Sequence, residues 1–358
     1  MADPIPFAIL GTGWRALFYL RIAKLYPEHF RVTGLVSRNG NPTVEAEFKV
    51  RSHRTLDDLL RAERPRFVVT SLPWTPNPDA IKELVDRGLP VLTETPPAPT
   101  LESMRDLCAH VKAKKGRVQV AEQVHLRPHH QAQMAVAASG KLGNLHDAYI
   151  SVSHGYHGIS LMRRFLGLTF ENATISGQRV KTPMVQGPGR DGAPKCEKIV
   201  ETERDFYFFD FGDKHGVVDF TGSQYFAWIR NEHLQLRGER GELVNDRFSW
   251  LQDFQTPRQG RIERVMDGVG GLLNPLCLSG YQTDGGWIYR NPFTPHGMMD
   301  DEIAIAEALV RMDAHAAGGP DFYSLAEGCQ DHYLWLQAQD AVKTGAKLPT
   351  ATQHWADA

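Results

Sequence analysis

Six of the 15 histidines fall between positions 125 and 157: His125, His129, His130, His146, His154 and His157. Histidine is the side chain best poised for proton transfer near neutral pH, so this density marks a stretch suited to acid–base chemistry. His154 and His157 stand three apart, a spacing that lets two imidazoles share a helical face as metal ligands do. A third ligand would have to come from far away, from His296, Asp300 or Asp301, and the expectation is no metal. His129, His130 and His146 read as buried, hydrogen-bonded structural histidines. The four cysteines, Cys108, Cys196, Cys277 and Cys329, form no CxxC pair, which argues against a disulfide framework or a cysteine zinc site.

A second chemistry sits near the N-terminus. Gly11-Thr12-Gly13-Trp14-Arg15-Ala16 has the pattern G-x-G-x-x-A, placed after the apolar run Phe7–Leu10 and before Phe18, Ile22 and Leu25 at helical spacing. The first glycine allows a tight turn, the second lets backbone approach a pyrophosphate, and Ala16 keeps helix and strand close. The helix start then offers free N–H groups and a favourable dipole to an anion. The second strand ends at Val36, followed by Ser37 and Arg38 rather than an acid. An acid there would hold a ribose 2′-hydroxyl, whereas an arginine accepts a 2′-phosphate, so this pair leans toward NADP over NAD.

The elements around these residues fall into two parts. Over residues 1–122 strand and helix signals alternate: Phe7–Leu10, Val32–Val36, Phe67–Leu72, Val91–Thr93 and Val118–Ala121 as strands. Thr55 with Asp58 opens one helix, Gly88 closes another, and Met104, Leu107, Cys108 and Val111 line a third. This predicts a doubly wound parallel sheet covered on both faces. Ligands of such sheets sit beyond the carboxyl ends of the strands, so Glu122, Gln123, His125 and Arg127, just after the last strand, are expected to face the cleft, with Glu122, His125 and Arg127 meeting substrate.

Residues 123–349 read as a second, α+β domain. Arg127–Gly140 is helical; Ala148–Ser153, Phe206–Phe211, Val217–Phe220, Tyr225–Ile229 and Leu234–Arg237 are strands, mostly antiparallel. Tyr225, Phe226 and Trp228 read as sheet packing. Pro183–Pro194 reads as a long loop and Leu272–Gly297 as an irregular region. Residues 350–358 read as a frayed tail.

The 40 basic residues nearly balance the 42 acidic ones, which leaves no field to recruit nucleic acid or an anionic membrane. No apolar run approaches the roughly 20 residues needed to span a bilayer. Met1-Ala2-Asp3-Pro4-Ile5-Pro6 lacks the marks of a secretory signal, so a cytoplasmic protein with a small-molecule partner is expected.

With these residues assembled, the chain resembles the Gfo/Idh/MocA family of NAD(P)-dependent sugar and cyclitol oxidoreductases. The resemblance runs through the G-x-G-x-x-A turn, Ser71-Leu72-Pro73, Gly88 followed by Val91-Leu92-Thr93-Glu94, Arg127-Pro128, Ser139-Gly140-Lys141-Leu142-Gly143 and Gly238-Glu239-Arg240-Gly241-Glu242. It implies a Rossmann domain followed by an α+β domain with a large open sheet, paired through that sheet into a homodimer or homotetramer. It implies a nicotinamide cofactor, NAD or NADP, held by Gly11, Thr12, Gly13, Trp14, Arg15, Ala16, Ser37, Arg38, Leu72, Pro73, Trp74, Glu94, Thr95, Pro96 and Gln123. The family's Glu-Lys-Pro is here Glu94-Thr95-Pro96, and its Asp-x-Gly-x-His-x-x-Asp is Ser153-His154-Gly155-Tyr156-His157-Gly158-Ile159-Ser160. Three charged positions are therefore neutral, and proton transfer is expected from His157, with Tyr156 or His154, on a carbohydrate-like substrate. Two other readings share these residues: a glycosidase or lyase that oxidises its sugar only transiently, and a non-catalytic nucleotide-binding sensor.

Overall fold

Runs of apolar residues dictate the first half of the chain. In the computed structural model, which describes residues 3–268, 276–284 and 286–357, they become strands β1 (Ile5–Leu10), β2 (Phe30–Val36), β3 (Ser52–His53), β4 (Phe67–Thr70), β5 (Val91–Thr93) and β6 (Val118–Val120). All pair in parallel, in the order β3-β2-β1-β4-β5-β6. Every residue of β4, β5 and β6 is buried, as strands covered on both faces require. The covering helices are α1 (Ala16–Leu25), α2 (Pro42–Phe48), α3 (Leu56–Ala62), α4 (Asn77–Asp86) and α5 (Leu101–Lys114). The Thr55 hydroxyl accepts the Asp58 N–H at 3.1 Å, the N-cap its spacing suggested. The chain order reverses at β1 and β4, so a crevice opens at their carboxyl ends.

The second half contains α6 (Pro128–Ala138), β7 (Leu145–Ser151), α7 (Gly155–Leu166), β8 (Thr174–Val185), β9 (Ile199–Asp210), β10 (His215–Phe220), β11 (His233–Gly238), β12 (Gly241–Val244), β13 (Arg247–Leu251) and β14 (Pro257–Arg261). It continues with β15 (Glu263–Asp267), β16 (Cys277–Thr283), β17 (Gly286–Arg290), α8 (Asp300–Ala316), α9 (Leu325–Thr344) and β18 (Leu348–Pro349). Among the described residues the large sheet has nine strands in the order β14-β13-β12-β11-β7-β10-β9-β8-β18. Only β7 and β10 pair in parallel within it. Helices α7 and α9 cover one face; Phe208, nearly half exposed, lies on the other. The two halves are stitched at β6, where the Gln119 side-chain Oε1 accepts the N–H groups of Phe322 and Tyr323, each at 2.9 Å.

Four expectations are corrected here. Strand β8 runs on to Val185, so the loop begins later than Pro183. Tyr225–Ile229 is not a strand: Gly222–Tyr225 is a 3-10 turn, and Trp228 is 75% exposed rather than packed in a sheet. The described part of Leu272–Gly297 holds the β16–β17 hairpin with Trp287 and Tyr289 in it; its start, 272–275, and Gly285 lie outside the described residues. The tail is docked, because Trp355 is 1% exposed and its indole N–H donates to Gln330 at 3.0 Å. A large indole with a satisfied N–H anchors a terminus that composition alone makes look loose.

Candidate active site

At one end of the cleft stands the glycine turn. Gly11 has φ +105°, and a Cβ there would lie 2.2 Å from the Ser71 carbonyl oxygen, so no side chain fits. A Cβ on Gly13 would meet nothing within 4 Å, which leaves open room above the turn. Ala16 is fully buried, as close packing of α1 on β1 requires, and no side chain caps the start of α1. Arg15 donates from Nε to Glu94 Oε1 at 2.9 Å, and the Tyr19 hydroxyl donates to the same oxygen. Burial works against the Arg15 charge, but Glu94 and Tyr19 hold its pKa above the ordinary value. This cluster ties the loop after β1 to the end of β5. Gln123 lines the same cleft, and its buried Oε1 has no partner among the described residues. An open glycine and an uncapped helix start fit the phosphates of a dinucleotide, while the unpartnered Gln123 acceptor suits a hydroxyl or amide donor.

At the other end α7 delivers the histidines. Gly155 opens this helix at φ +47°, where a Cβ would strike the Trp335 indole at 2.6 Å. His154 is its N-cap, with Tyr156 and His157 in its first turn. His157 donates from Nδ1 to Glu122 Oε2 at 2.5 Å. Glu122 is 2% exposed, and its other oxygen accepts the Val124 N–H at 3.0 Å. Both carboxylate oxygens are thus taken, and Nε2 of His157 has no hydrogen-bond partner among the described residues. The His154 ring lies 4.9 Å from that of His157, and its Nδ1 meets the Tyr225 hydroxyl, which also bonds Ser153 Oγ at 2.9 Å. Desolvation holds the Tyr156 phenol well above its ordinary range, so it stays protonated and can donate a hydrogen bond but not act as a base. The cleft, about 430 Å³, is lined by Gly13, Trp14, Arg15, Leu72, Pro73, Trp74, Glu94, Thr95, Gln123, His154, Tyr156 and His157, together with Ser71 and Arg190.

Other residues go elsewhere. Glu122 orients His157 rather than facing open space. His125 is buried against the Tyr323 ring, 5.2 Å between centroids, because the short 3-10 turn Val124–Leu126 carries it inward. Arg127 is held by Asp301 at 2.7 Å and Glu232 at 3.3 Å. Pro96 is buried beneath the cleft, while Ser37 and Arg38 stand at the end of β2 with Arg38 exposed. Asp300 pairs with Arg264 and His296 with Glu28, so neither converges on the histidine pair. His130 is buried and bonds Gln133 at 2.9 Å, whereas His146 is half-exposed beside Asp147. Tyr225 and Arg190 carried no sequence signal: one lies in an apparent strand, the other in a Gly/Pro-rich loop.

Burial of these histidines predicts acid sensitivity. Desolvation, helped by His157, pushes His154 down to about 3; desolvation and Arg127 push His130 down to about 3; His125 lies well below its usual range. Each titrates near 6.5 once unfolded. Below that pH the unfolded chain binds protons that the folded chain refuses, so their stabilising contribution is whole above 6.5 and is lost as pH falls toward 3. The loss is roughly 1 kcal/mol per pH unit for each histidine. The thermal midpoint is expected to drop steeply from pH 6.5 to 4; a flat midpoint across that range contradicts the assignment.

Comparison with known proteins gives this geometry its class. Residues 5–122 match the Gfo/Idh/MocA family model, described as an oxidoreductase family with an NAD-binding Rossmann fold. Over those residues the chain is similar to the Gfo/Idh/MocA oxidoreductases, and the match covers about a third of its length. An uncharacterised oxidoreductase of Schizosaccharomyces pombe is 33% identical over 116 residues, which is 31% of this chain and 31% of that relative's length. The whole fold is similar to levoglucosan dehydrogenase in complex with NADH and levoglucosan: TM-score 0.68, 16% identity, covering 97% of this chain and 99% of that one. It is also similar to a Bordetella pertussis dehydrogenase solved with NADH and UDP-GlcNAcA: TM-score 0.63, 14% identity, 98% and 100% coverage. No helix among the described residues is long and apolar enough to cross a membrane.

Proposed function

We propose that the chain is an NAD(P)-dependent dehydrogenase for a hydroxyl of a sugar, cyclitol or sugar derivative, with His157 as its acid–base. The observation that carries the reading is the Glu122–His157 pair, 2.5 Å apart, in the same cleft as the glycine turn. A bound nicotinamide supplies the hydride acceptor. His157 Nε2 takes the hydroxyl proton, and the Glu122 carboxylate stabilises the imidazolium that results. Thr95, where the family has lysine, carries no charge. Tyr156 holds the substrate oxygen by donation, and Trp74, edge-on to Tyr156 at 6.5 Å, excludes water. The relatives solved with levoglucosan and UDP-GlcNAcA support a carbohydrate-like substrate. The second reading, transient oxidation followed by elimination, draws on the His154 and Tyr156 rings packed against His157, which add hydrogen-bonding groups beside the single base.

Ser37 and Arg38, with no acid between β2 and Asn39, favour NADP. The open sheet face around Phe208 is the surface through which two copies pair. The test is a fluorescence titration with NADH and NADPH, followed by a polyol and glycoside screen. Binding of both, with NADPH several-fold tighter, is expected; binding of neither by folded protein free of nucleotide overturns the dehydrogenase reading. Turnover without net NAD(P)H change favours the elimination reading.

A further inference from the structure

The segment between β8 and β9 crosses from the second domain to the nucleotide end of the cleft. Gly189 and Gly192 exchange two backbone hydrogen bonds, each 3.0 Å, closing a two-residue hairpin with Arg190 and Asp191 at its tip. Its base is braced: a Cβ on Gly187 would lie 3.1 Å from Ala227 Cα. Ala227 belongs to the turn whose Tyr225 bonds His154, so hairpin and proton-transfer end share one support.

At the tip, the Arg190 guanidinium lies 4.3 Å from the centre of the Trp14 ring. Trp14 sits inside the G-x-G-x-x-A turn, half exposed, beside the open space above Gly13. A guanidinium laid on an aromatic face is fixed in plane while its edge N–H groups stay free. Arg15, the other arginine on the cleft, is already engaged by Glu94. Among the described residues no carboxylate pairs with Arg190. Among the described residues the cleft thus holds one cation without a counter-charge, at the position where a Rossmann turn receives phosphate.

We propose that Arg190 is a clamp for the diphosphate of the bound dinucleotide, reaching across from the second domain to complete the site that the glycine turn opens. The inference rests on the dinucleotide reading above. Bidentate, charge-assisted hydrogen bonds from a guanidinium to phosphate are among the stronger polar contacts available. A clamp anchored on the second domain also ties cofactor release to movement of the hairpin, so release is slow.

The test uses the full-length protein, its Arg190→Ala and Arg190→Lys variants, and NADH and ADP-ribose as probes. Arg190 is exposed, so both variants keep the wild-type thermal midpoint. In Arg190→Ala the Kd for NADH and for ADP-ribose rises about tenfold or more, and NADH leaves faster in stopped flow. Arg190→Lys recovers part of the loss, because a point charge replaces a planar fork. Affinities for both probes within twofold of wild type in Arg190→Ala overturn the clamp while leaving the dinucleotide site standing. Failure of the wild type itself to bind NADH or NADPH overturns both.

Discussion

Replacing His157 by glutamine is expected to lower kcat by about 10²–10⁴-fold while the Kd for NADH stays within twofold. Glutamine is the informative change because it keeps a donor for Glu122. Alanine would leave a buried carboxylate unpaired, at a cost of several kcal/mol, and risk misfolding. A loss confined to kcat marks a group that acts when the proton moves, whereas a loss confined to KM marks uniform binding. His157 is the ring on the cleft with one nitrogen donating to a buried carboxylate and the other unpartnered among the described residues. Full turnover by His157→Gln, at wild-type NADH affinity, would falsify its role. Tyr156→Phe is the matched comparison: its phenol is held protonated by burial, so it can position substrate but not accept the proton.

The second large effect follows from Glu122. Changed to glutamine, the side chain keeps its shape but can no longer accept on both sides. The Val124 N–H, at 3.0 Å, still needs an oxygen. The amide nitrogen is therefore turned to His157, whose Nδ1 must now accept. That tautomer places the proton on Nε2, the atom facing the cleft, and the imidazole ceases to be a base there. Glu122→Gln is expected to lower kcat about 10²-fold or more, with thermal midpoint and NADH affinity near wild type. A purely structural role predicts the reverse: a lower midpoint and intact kcat. Partial recovery in Glu122→Asp, which restores a carboxylate at a shorter reach, separates charge from packing.

Both results depend on a partnership that spacing could not reveal. Glu122 and His157 are separated by 35 positions, on the exit of the parallel sheet and the first turn of α7. Each residue was visible as a cleft candidate; their bond was not. Helix α9 was missed altogether, and the reason is physical. It buries Cys329, Gln330, Asp331, His332, Tyr333 and Leu334 in succession, so no apolar stripe of helical period stands out against a polar face. Asp331, buried between Arg163 and Tyr323, is pushed up to about 6 by desolvation.

Local rules determined the rest. Continuous apolar runs of strand length mean strands covered on both faces, and the alternation of such runs with capped helices means a parallel sheet. Gly11 is legible in the sequence because only glycine tolerates its φ of +105° and the Ser71 carbonyl beside it, and Gly13 because the missing side chain leaves room above the turn. Those signals lie within a few residues of one another, where steric and hydrogen-bonding demands act directly on residue type. The orientation of His125 and Arg127, the docking of Trp355, the pairing of Glu122 with His157 and the reach of Arg190 to Trp14 arise between segments distant in the chain. Only the packed tertiary structure decided them, because burial and partner choice depend on what the fold brings alongside and not on neighbours in sequence.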